Sequence, residues 1–335
     1  MAIKRVRTPE YNYDFNTETG EMKRWGKTYN EDAVYSNLGP EILDLEISTV
    51  CHGIGGVPCK HCYKSNTGNG KNMSLETFKK IFHKLPNNVG QIAFGLGTLN
   101  ANPDLLDIFW YSRDHGVVPN VTINGDGLTD EWAFKLAEVC GAVAVSRYDD
   151  KNVCYEAVQK LTKAGLKQVN IHQLVSQETY QNCLETIEDI QTDLRLEDLN
   201  AIVFLSLKQK GRGAGYSPVS YEQYEALVTK CLDAWIRFGM DSCSATRYIR
   251  VLENNSKYDS AYMRSMIEPC ESSLFSLYCN VDGRVFPCSF TEGEWEGINI
   301  EDCEDFIQDI WFSEDIKEFR KLLLNCERSC PIYRI

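Results

Sequence analysis

The chain has 335 residues, 43% of them apolar and 25% charged, a globular balance that excludes collagen-like, low-complexity and wholly disordered architectures. Asp and Glu outnumber Lys and Arg by 48 to 35, a net charge of −13 at pH 7, so nucleic acid and anionic lipid are disfavoured partners. No apolar run approaches the ~20 residues that span a bilayer, and no apolar stretch follows the basic opening MAIKRVRTPEYNYDF to make it a secretory signal. A cytoplasmic protein without membrane contact is expected. In that compartment disulfides are rare, so 14 cysteines point to metal or catalysis.

Residues 1–44 form a polar, Tyr-rich extension. The runs 11–16 and 21–25 flank a Thr-Glu-Thr-Gly turn and predict a short hairpin. Over 45–252, strands alternate with helices. Strands are expected at 43–50, 91–95, 118–123, 142–146, 169–175 and 201–207. Helices are expected after the cap Ser74, where Phe78, Ile81, Phe82 and Leu85 recur at helical spacing, and at 105–116, 130–140, 155–164, 179–190 and 221–238. Such alternation implies parallel pairing through right-handed crossovers. Six units predict an α/β barrel or partial barrel with its working loops at the strand C-terminal ends; an open doubly wound sheet is the alternative. Residues 253–335 make a polar linker and a tail with six cysteines, too small and irregular to owe its order to an apolar core alone, so a metal staple is expected. Cys140, Cys154, Cys183, Cys231 and Cys243 fall in helical or strand positions and read as small buried hydrophobes.

At the end of the first strand stands CHGIGGVPCKHCY, with Cys51, Cys59 and Cys62. Three thiolates in one loop can hold three irons of a [4Fe–4S] cluster and leave the fourth iron open; a zinc site completed by His52 or His61 fits the cysteines equally well. On the fifth strand Asn170, His172, Leu174 and Ser176 share one face. A buried parallel strand is ordinarily apolar on both faces, so this face suggests a lumen holding a polar ligand, with a hydrogen-bonded core histidine as the plainer reading. Lys208 and Arg212, after the sixth strand, are candidates to meet a substrate carboxylate, or are solvated loop charges.

The stretch EISTVC…CKHCYKSN resembles the cluster loop of the radical SAM superfamily, which follows the first strand of a partial (β/α)6 barrel. The usual spacing there is three residues between the first two cysteines, whereas this chain has seven, His52 to Pro58. Gly53, Gly55 and Gly56 make the longer loop pliable, at a closure cost of only ~0.5–1 kcal/mol. The resemblance implies S-adenosylmethionine contacts in order along the chain. GLGTLNANPDL resembles a Gly-Gly-Glu-Pro segment, which makes Gly95 and Gly97 candidates although the Glu is absent. TINGDGLTDE points to Asn124 and Gly125, and VAVSRYD to Ser146, with Arg147 for the carboxylate. Asn170 and His172 complete the expected cofactor contacts, and His172, Lys208 and Arg212 are the candidate catalytic groups.

In the tail, Cys270, Gly283 and Cys288 read C-x12-G-x4-C around a Val-Asp-Gly-Arg turn, and Cys326 and Cys330 follow as C-E-R-S-C. This resembles the twitch domain, the shorter relative of the SPASM extension of radical SAM enzymes, a small α+β fold. It implies one auxiliary [4Fe–4S] cluster on Cys270, Cys288, Cys326 and Cys330, with Cys279 as an alternative ligand. Reductive cleavage of S-adenosylmethionine to a 5′-deoxyadenosyl radical, hydrogen abstraction from a peptide or protein, and an electron donor such as flavodoxin or ferredoxin are what the resemblance implies. Dehydrogenation of a small polar metabolite is the alternative within that class. A non-catalytic iron–sulfur electron-transfer protein and a zinc-stapled binding protein are the readings from other classes.

Overall fold

The computed structural model describes residues 3–264, 267–333 and 335. The extension forms three antiparallel strands, β1 (Ile3–Arg7), β2 (Asn12–Asn16) and β3 (Met22–Trp25). The expected hairpin is β2–β3, turned at Gly20 with φ +74° and held by Asn16 Oδ1, which accepts from the backbone N–H groups of Glu18 and Thr19. Alternation along the middle strand buries Tyr11, Tyr13 and Phe15 on one face, where their rings stack in sequence.

The six expected strands are β4 (Ile42–Glu46), β5 (Gln91–Gly95), β6 (Val118–Ile123), β7 (Ala142–Arg147), β8 (Val169–Val175) and β9 (Ala201–Ser206), each paired in parallel with the next. The connecting helices are α1 (Leu75–Lys84), α2 (Leu105–Asp114), α3 (Asp130–Val139), α4 (Lys151–Lys163) and α5 (Tyr180–Asp189), and α6 (Tyr221–Asp233) follows β9. Side chains set their starts: Ser74, Thr129 and Asp150 each accept a backbone N–H from the first turn, and Ser220 with Gln223 makes a reciprocal capping box. The sixth helix stops well short of residue 238. Trp235 takes φ +53° and the chain turns into a short seventh parallel strand, β10 (Phe238–Met240), on β9, before α7 (Ala245–Asn254) and the single turn α8 (Ala261–Arg264). The first strand also ends before residue 50, because residues 47–50 peel away to begin the cysteine loop.

The tail joins the same sheet at its other side. Strand β11 (Ser276–Cys279) pairs in parallel with β4, then β12 (Arg284–Phe286) and β13 (Ile298–Asn299) continue antiparallel, and α9 (Glu314–Asn325) packs behind. The sheet thus runs β10-β9-β8-β7-β6-β5-β4-β11-β12-β13 and does not close. Its outward face packs on the helices through Leu43, Leu45, Ile92, Phe94, Val143, Val145, Ile171 and Phe204, all 2% exposed or less. Its inward face carries Gln91, Asn120, Thr122, Asn170 and His172 around a cavity of about 230 Å³, against which Phe15 and Gly20 of the N-terminal sheet also lie. That sheet packs in turn on Leu274, Phe275, Phe319 and Leu323 of the tail. Arg24 fastens the joint. Its guanidinium pairs with Glu41, Glu268 and Glu271 at 2.8–2.9 Å and lies 3.5 Å from the Phe275 ring centroid.

Candidate cluster sites at the strand ends

The first cysteine loop leaves the C-terminal end of β4. Its seven-residue spacer folds into a tight hairpin: Ile54 and Val57 exchange backbone hydrogen bonds of 3.0 Å each, and Gly55 and Gly56 between them take φ +55° and +81°, the left-handed pair that a type I′ turn needs. Gly53 has φ +76°, and a Cβ there would stand 1.8 Å from the Val57 carbonyl oxygen, so only glycine fits. The β6 loop pins this hairpin from above. Asn124 Nδ2 donates to the Gly53 carbonyl at 3.1 Å, and Asp126 Oδ2 accepts from Gly55 N–H at 2.9 Å. The extra residues are therefore looped out as a unit, and Cys51, Cys59 and Cys62 remain close enough to interact electrostatically.

Several expected cofactor and substrate residues hold this loop in place. Arg212 is not free to meet a carboxylate: Nε donates to the Cys59 carbonyl at 2.8 Å, Nη1 and Nη2 donate to Asn66, and its N–H donates to Cys62. Gly97 lets the β5 loop press on the cysteine loop, since a Cβ there would lie 2.4 Å from the Val50 carbonyl oxygen and 2.5 Å from Cys51 Cβ. Gly95 lies over Glu46, and Gly125, at φ +80°, turns the chain against Val145 and Ala157. The Tyr148 hydroxyl donates to the Cys59 sulfur and also bonds Ser146. Arg147 leaves the inner face altogether; it is buried on the helix side and pairs with Glu185 at 2.7 Å.

The imidazoles near the loop point elsewhere. His52 packs on Gly68, and His61 is stacked on Tyr148 with centroids 5.5 Å apart and tilted against Tyr216. Deeper inside, His172 lies 3.5 Å from the Thr122 hydroxyl, and burial pushes its pKa down to about 4, so it is neutral. Asn170 Oδ1 accepts from Asn200 at 2.9 Å. Lys208 is buried in an ion pair with Asp241.

Two inward carboxylates on β4 escape the sequence reading. Water reaches the Asp44 side chain in the mouth of the sheet, yet the enclosing protein strips its bulk hydration. That desolvation, with the charge of Glu271, pushes its carboxyl up to about 7. Glu46 pairs with Lys64 at 3.2 Å, and Lys64 reaches the Tyr278 hydroxyl at 2.7 Å and Glu292, joining the cysteine loop to the tail. Beside this network Tyr63, next to Cys62, packs on Phe290 with centroids 4.6 Å apart, two residues from Cys288.

In the tail, Cys270, Cys288 and Cys330 come together. Cys270 is held by a two-way link to Arg328, its N–H donating to the Arg328 carbonyl and its carbonyl accepting from Arg328 Nε. Backbone N–H groups of Phe290 and Tyr333 donate to the sulfurs of Cys288 (3.3 Å) and Cys330 (3.4 Å). Such N–H···S bonds are among the interactions that tune iron–sulfur clusters. Cys326, expected as a fourth ligand, is exposed at the C-terminal cap of α9, and among the described residues its thiol makes no hydrogen bond. Cys279 is buried inside β11 with its thiol toward the Asn280 carbonyl. Cys243, read from the sequence as a buried hydrophobe, instead contacts Cys330. Among the described residues no three His, Cys, Asp or Glu side chains converge as a single ion requires. Ligands of a lone zinc lie ~3.8 Å apart, from Zn–S bonds of ~2.3 Å, and a four-iron cube spreads its thiolates more widely. In chemistry, a donor set made of cysteine thiolates suits an iron–sulfur cluster at both groups.

Residues 270–331 match the SPASM family, an iron-sulfur cluster-binding domain. A comparison with curated protein sequences finds no match. Among solved structures, Streptococcus suis SuiB bound to precursor peptide SuiA is 11% identical with a TM-score of 0.70, over 95% of this chain and 88% of that one. SuiB bound to S-adenosylmethionine is 11% identical with a TM-score of 0.67, over 96% and 89%. The anSMEcpe structure with AdoMet and the Cp18Cys peptide is 16% identical with a TM-score of 0.60, over 84% and 83%. The likeness is one of fold. It matches the partial barrel expected from the alternation of strands and helices and the appended cluster domain expected from the tail cysteines, and no helix among the described residues is long and apolar enough to cross a membrane.

Proposed function

We propose that this chain is a radical SAM enzyme that modifies a peptide or protein, with one [4Fe–4S] cluster on Cys51, Cys59 and Cys62 and an auxiliary cluster in the tail. The observation that carries the reading is the loop itself: three thiolates stand together at the end of β4 while His52 packs on Gly68 and His61 on Tyr148. That leaves an open metal position, which catalysis requires and a structural site lacks. Bound there, the cluster and S-adenosylmethionine supply one electron and a 5′-deoxyadenosyl radical that takes a hydrogen atom from the substrate.

The chain's own groups position and shield. Arg212, Asn124 and Asp126 brace the loop, and Tyr148 adds a hydrogen bond to one sulfur. Asp44, exposed on the inward face of β4, would take up the proton an oxidised substrate gives up. The Tyr63–Phe290 contact lies between the two cysteine groups and suits electron transfer from product to auxiliary cluster. A peptide substrate is supported by neighbours of this fold whose structures hold peptides, and the exposed edges of the N-terminal sheet offer a place to add a strand. A cytoplasmic one-electron donor such as flavodoxin or ferredoxin completes the reading.

The test is anaerobic reconstitution, reduction, and quantification of 5′-deoxyadenosine after S-adenosylmethionine is added. Production is expected, and its loss in the Cys51→Ala, Cys59→Ala, Cys62→Ala triple variant. A protein that takes up zinc in place of iron, or holds iron but cleaves no S-adenosylmethionine with or without peptide, overturns the proposal.

A further inference from the structure

The cysteine tally of the tail is completed from outside it. We propose that Cys243, on the turn that follows β10, is the fourth thiolate of the auxiliary cluster with Cys270, Cys288 and Cys330, and that Cys326 stays a free thiol. The inference rests on reading the tail as a cluster-binding domain and adds to it a ligand from the barrel.

Three observations carry it. First, geometry brings the Cys243 turn to the tail cysteines: Asp241 pairs with Lys208, Lys208 lies 5.4 Å from the Phe290 ring centroid, and Phe290 packs on Tyr333 at 5.8 Å, the two residues whose N–H groups donate to Cys288 and Cys330. The Cys243 thiol interacts there with those of Cys330 and Cys270. Second, the turn that presents it is built. The Asp241 carbonyl accepts the Ser244 N–H at 2.9 Å, Asp241 Oδ1 accepts the Ser244 hydroxyl at 2.6 Å, and the other carboxylate oxygen pairs with buried Lys208. Lys208 in turn interacts with the Cys243 thiol. An ammonium beside four thiolates offsets the excess negative charge that such a ligand set brings to a buried site. Third, the alternative ligand is misplaced. Cys326 is exposed at a helix end, while Cys330, four residues on, turns inward with its sulfur under the Tyr333 N–H.

The consequence is a cluster that bridges two parts of the chain: one ligand from the turn after β10, three from the tail. Lys208, expected to meet substrate, becomes a positioning residue of this site.

The decisive experiment uses the full chain with Cys51, Cys59 and Cys62 changed to Ala, so that only auxiliary iron is counted. After anaerobic reconstitution this background should hold about four irons, as should its Cys326→Ser derivative. The Cys243→Ser derivative should fall to about three irons, with the EPR signal of a three-iron cluster, or lose iron altogether. Full iron after Cys243→Ser, iron loss after Cys326→Ser, or no iron in the background each overturns the proposal. Because Cys243→Ser could also unfold the turn, a second measurement uses the unmutated, iron-loaded protein. Alkylation and peptide mapping should label Cys326 first and reach Cys243 only after iron is chelated. Protection of Cys326 in the loaded protein, or a Cys243–Cys330 disulfide there, overturns it as well. S-adenosylmethionine cleavage at the first loop reports separately on the proposed function.

Discussion

The cysteine-loop hairpin gives a matched pair of substitutions. Gly53 and Gly55 both take left-handed backbone angles, φ +76° and +55°, so alanine at either position costs about 1–2 kcal/mol in backbone strain. They differ in space. A Cβ on Gly55 meets nothing within 4 Å, whereas one on Gly53 would stand 1.8 Å from the Val57 oxygen and 2.7 Å from Pro58 N. Relieving that overlap breaks the two Ile54–Val57 backbone hydrogen bonds, worth about 0.5–1.5 kcal/mol each. Gly53→Ala should therefore destabilise the loaded loop by about 2–5 kcal/mol, against about 1–2 for Gly55→Ala. The difference of about 1–3 kcal/mol corresponds to roughly a 5- to 150-fold shift in competition for iron. An anaerobic chelator titration reads it, with the auxiliary cluster of the same molecule as internal reference. Equal loss of first-loop iron in the two variants would refute the reasoning, because it would mean that the hairpin geometry does not govern how the cysteines are presented.

Removing Arg24 as Arg24→Ala leaves Glu41 and Glu271 buried without their cation and should cost about 3–5 kcal/mol; an unchanged thermal midpoint would show the joint to be dispensable. His172 titrates near 4 in the fold and near 6.5 when unfolded, so the unfolded chain binds the extra proton and stability should fall as pH drops from 6.5 toward 4. The loss reaches about 3 kcal/mol at most, and urea midpoints at pH 5 and 7 should lose this part of their difference in His172→Gln. Tyr148→Phe removes the hydroxyl that donates to Cys59. The first cluster should keep its iron while its reduction potential falls by tens of millivolts, the one-electron equivalent of about 1 kcal/mol; an EPR-monitored redox titration that finds no shift would exclude the bond.

What the sequence disclosed was what local pattern encodes. Six apolar strands separated by capped helices fold as spaced, and the cysteine triplet lies where the first strand ends, because periodicity and caps act over a few residues. Roles that depend on distant partners were hidden. Arg212 reads as a free loop charge until the fold shows it beneath the carbonyls of residues 59 and 66. Cys243 reads as a small hydrophobe because the thiols it meets belong to another part of the chain. The three-residue strand β10 is too short to show a period, so the helix before it was drawn too long. One local signal does mark the inward carboxylates: Leu-Asp-Leu-Glu in β4 alternates acidic and apolar residues in a strand expected to be buried on both faces, which sets Asp44 and Glu46 on the inward face.

The packing of the N-terminal sheet bears on how the protein is made. Residues 3–25 are translated well before Leu274, Phe275, Phe319 and Leu323, which supply part of the surface over Tyr11 and Phe15, and before Glu268 and Glu271, which Arg24 awaits. At 5–20 residues per second, translation keeps this face partly uncovered for roughly 15–60 s. Throughout that interval the aromatic face is a natural client for chaperones, and the segment that brings Phe319 and Leu323 to it also delivers Cys330. Seating of the N-terminal sheet, covering of the barrel floor and readiness to receive auxiliary iron thus fall together, late in translation of these residues.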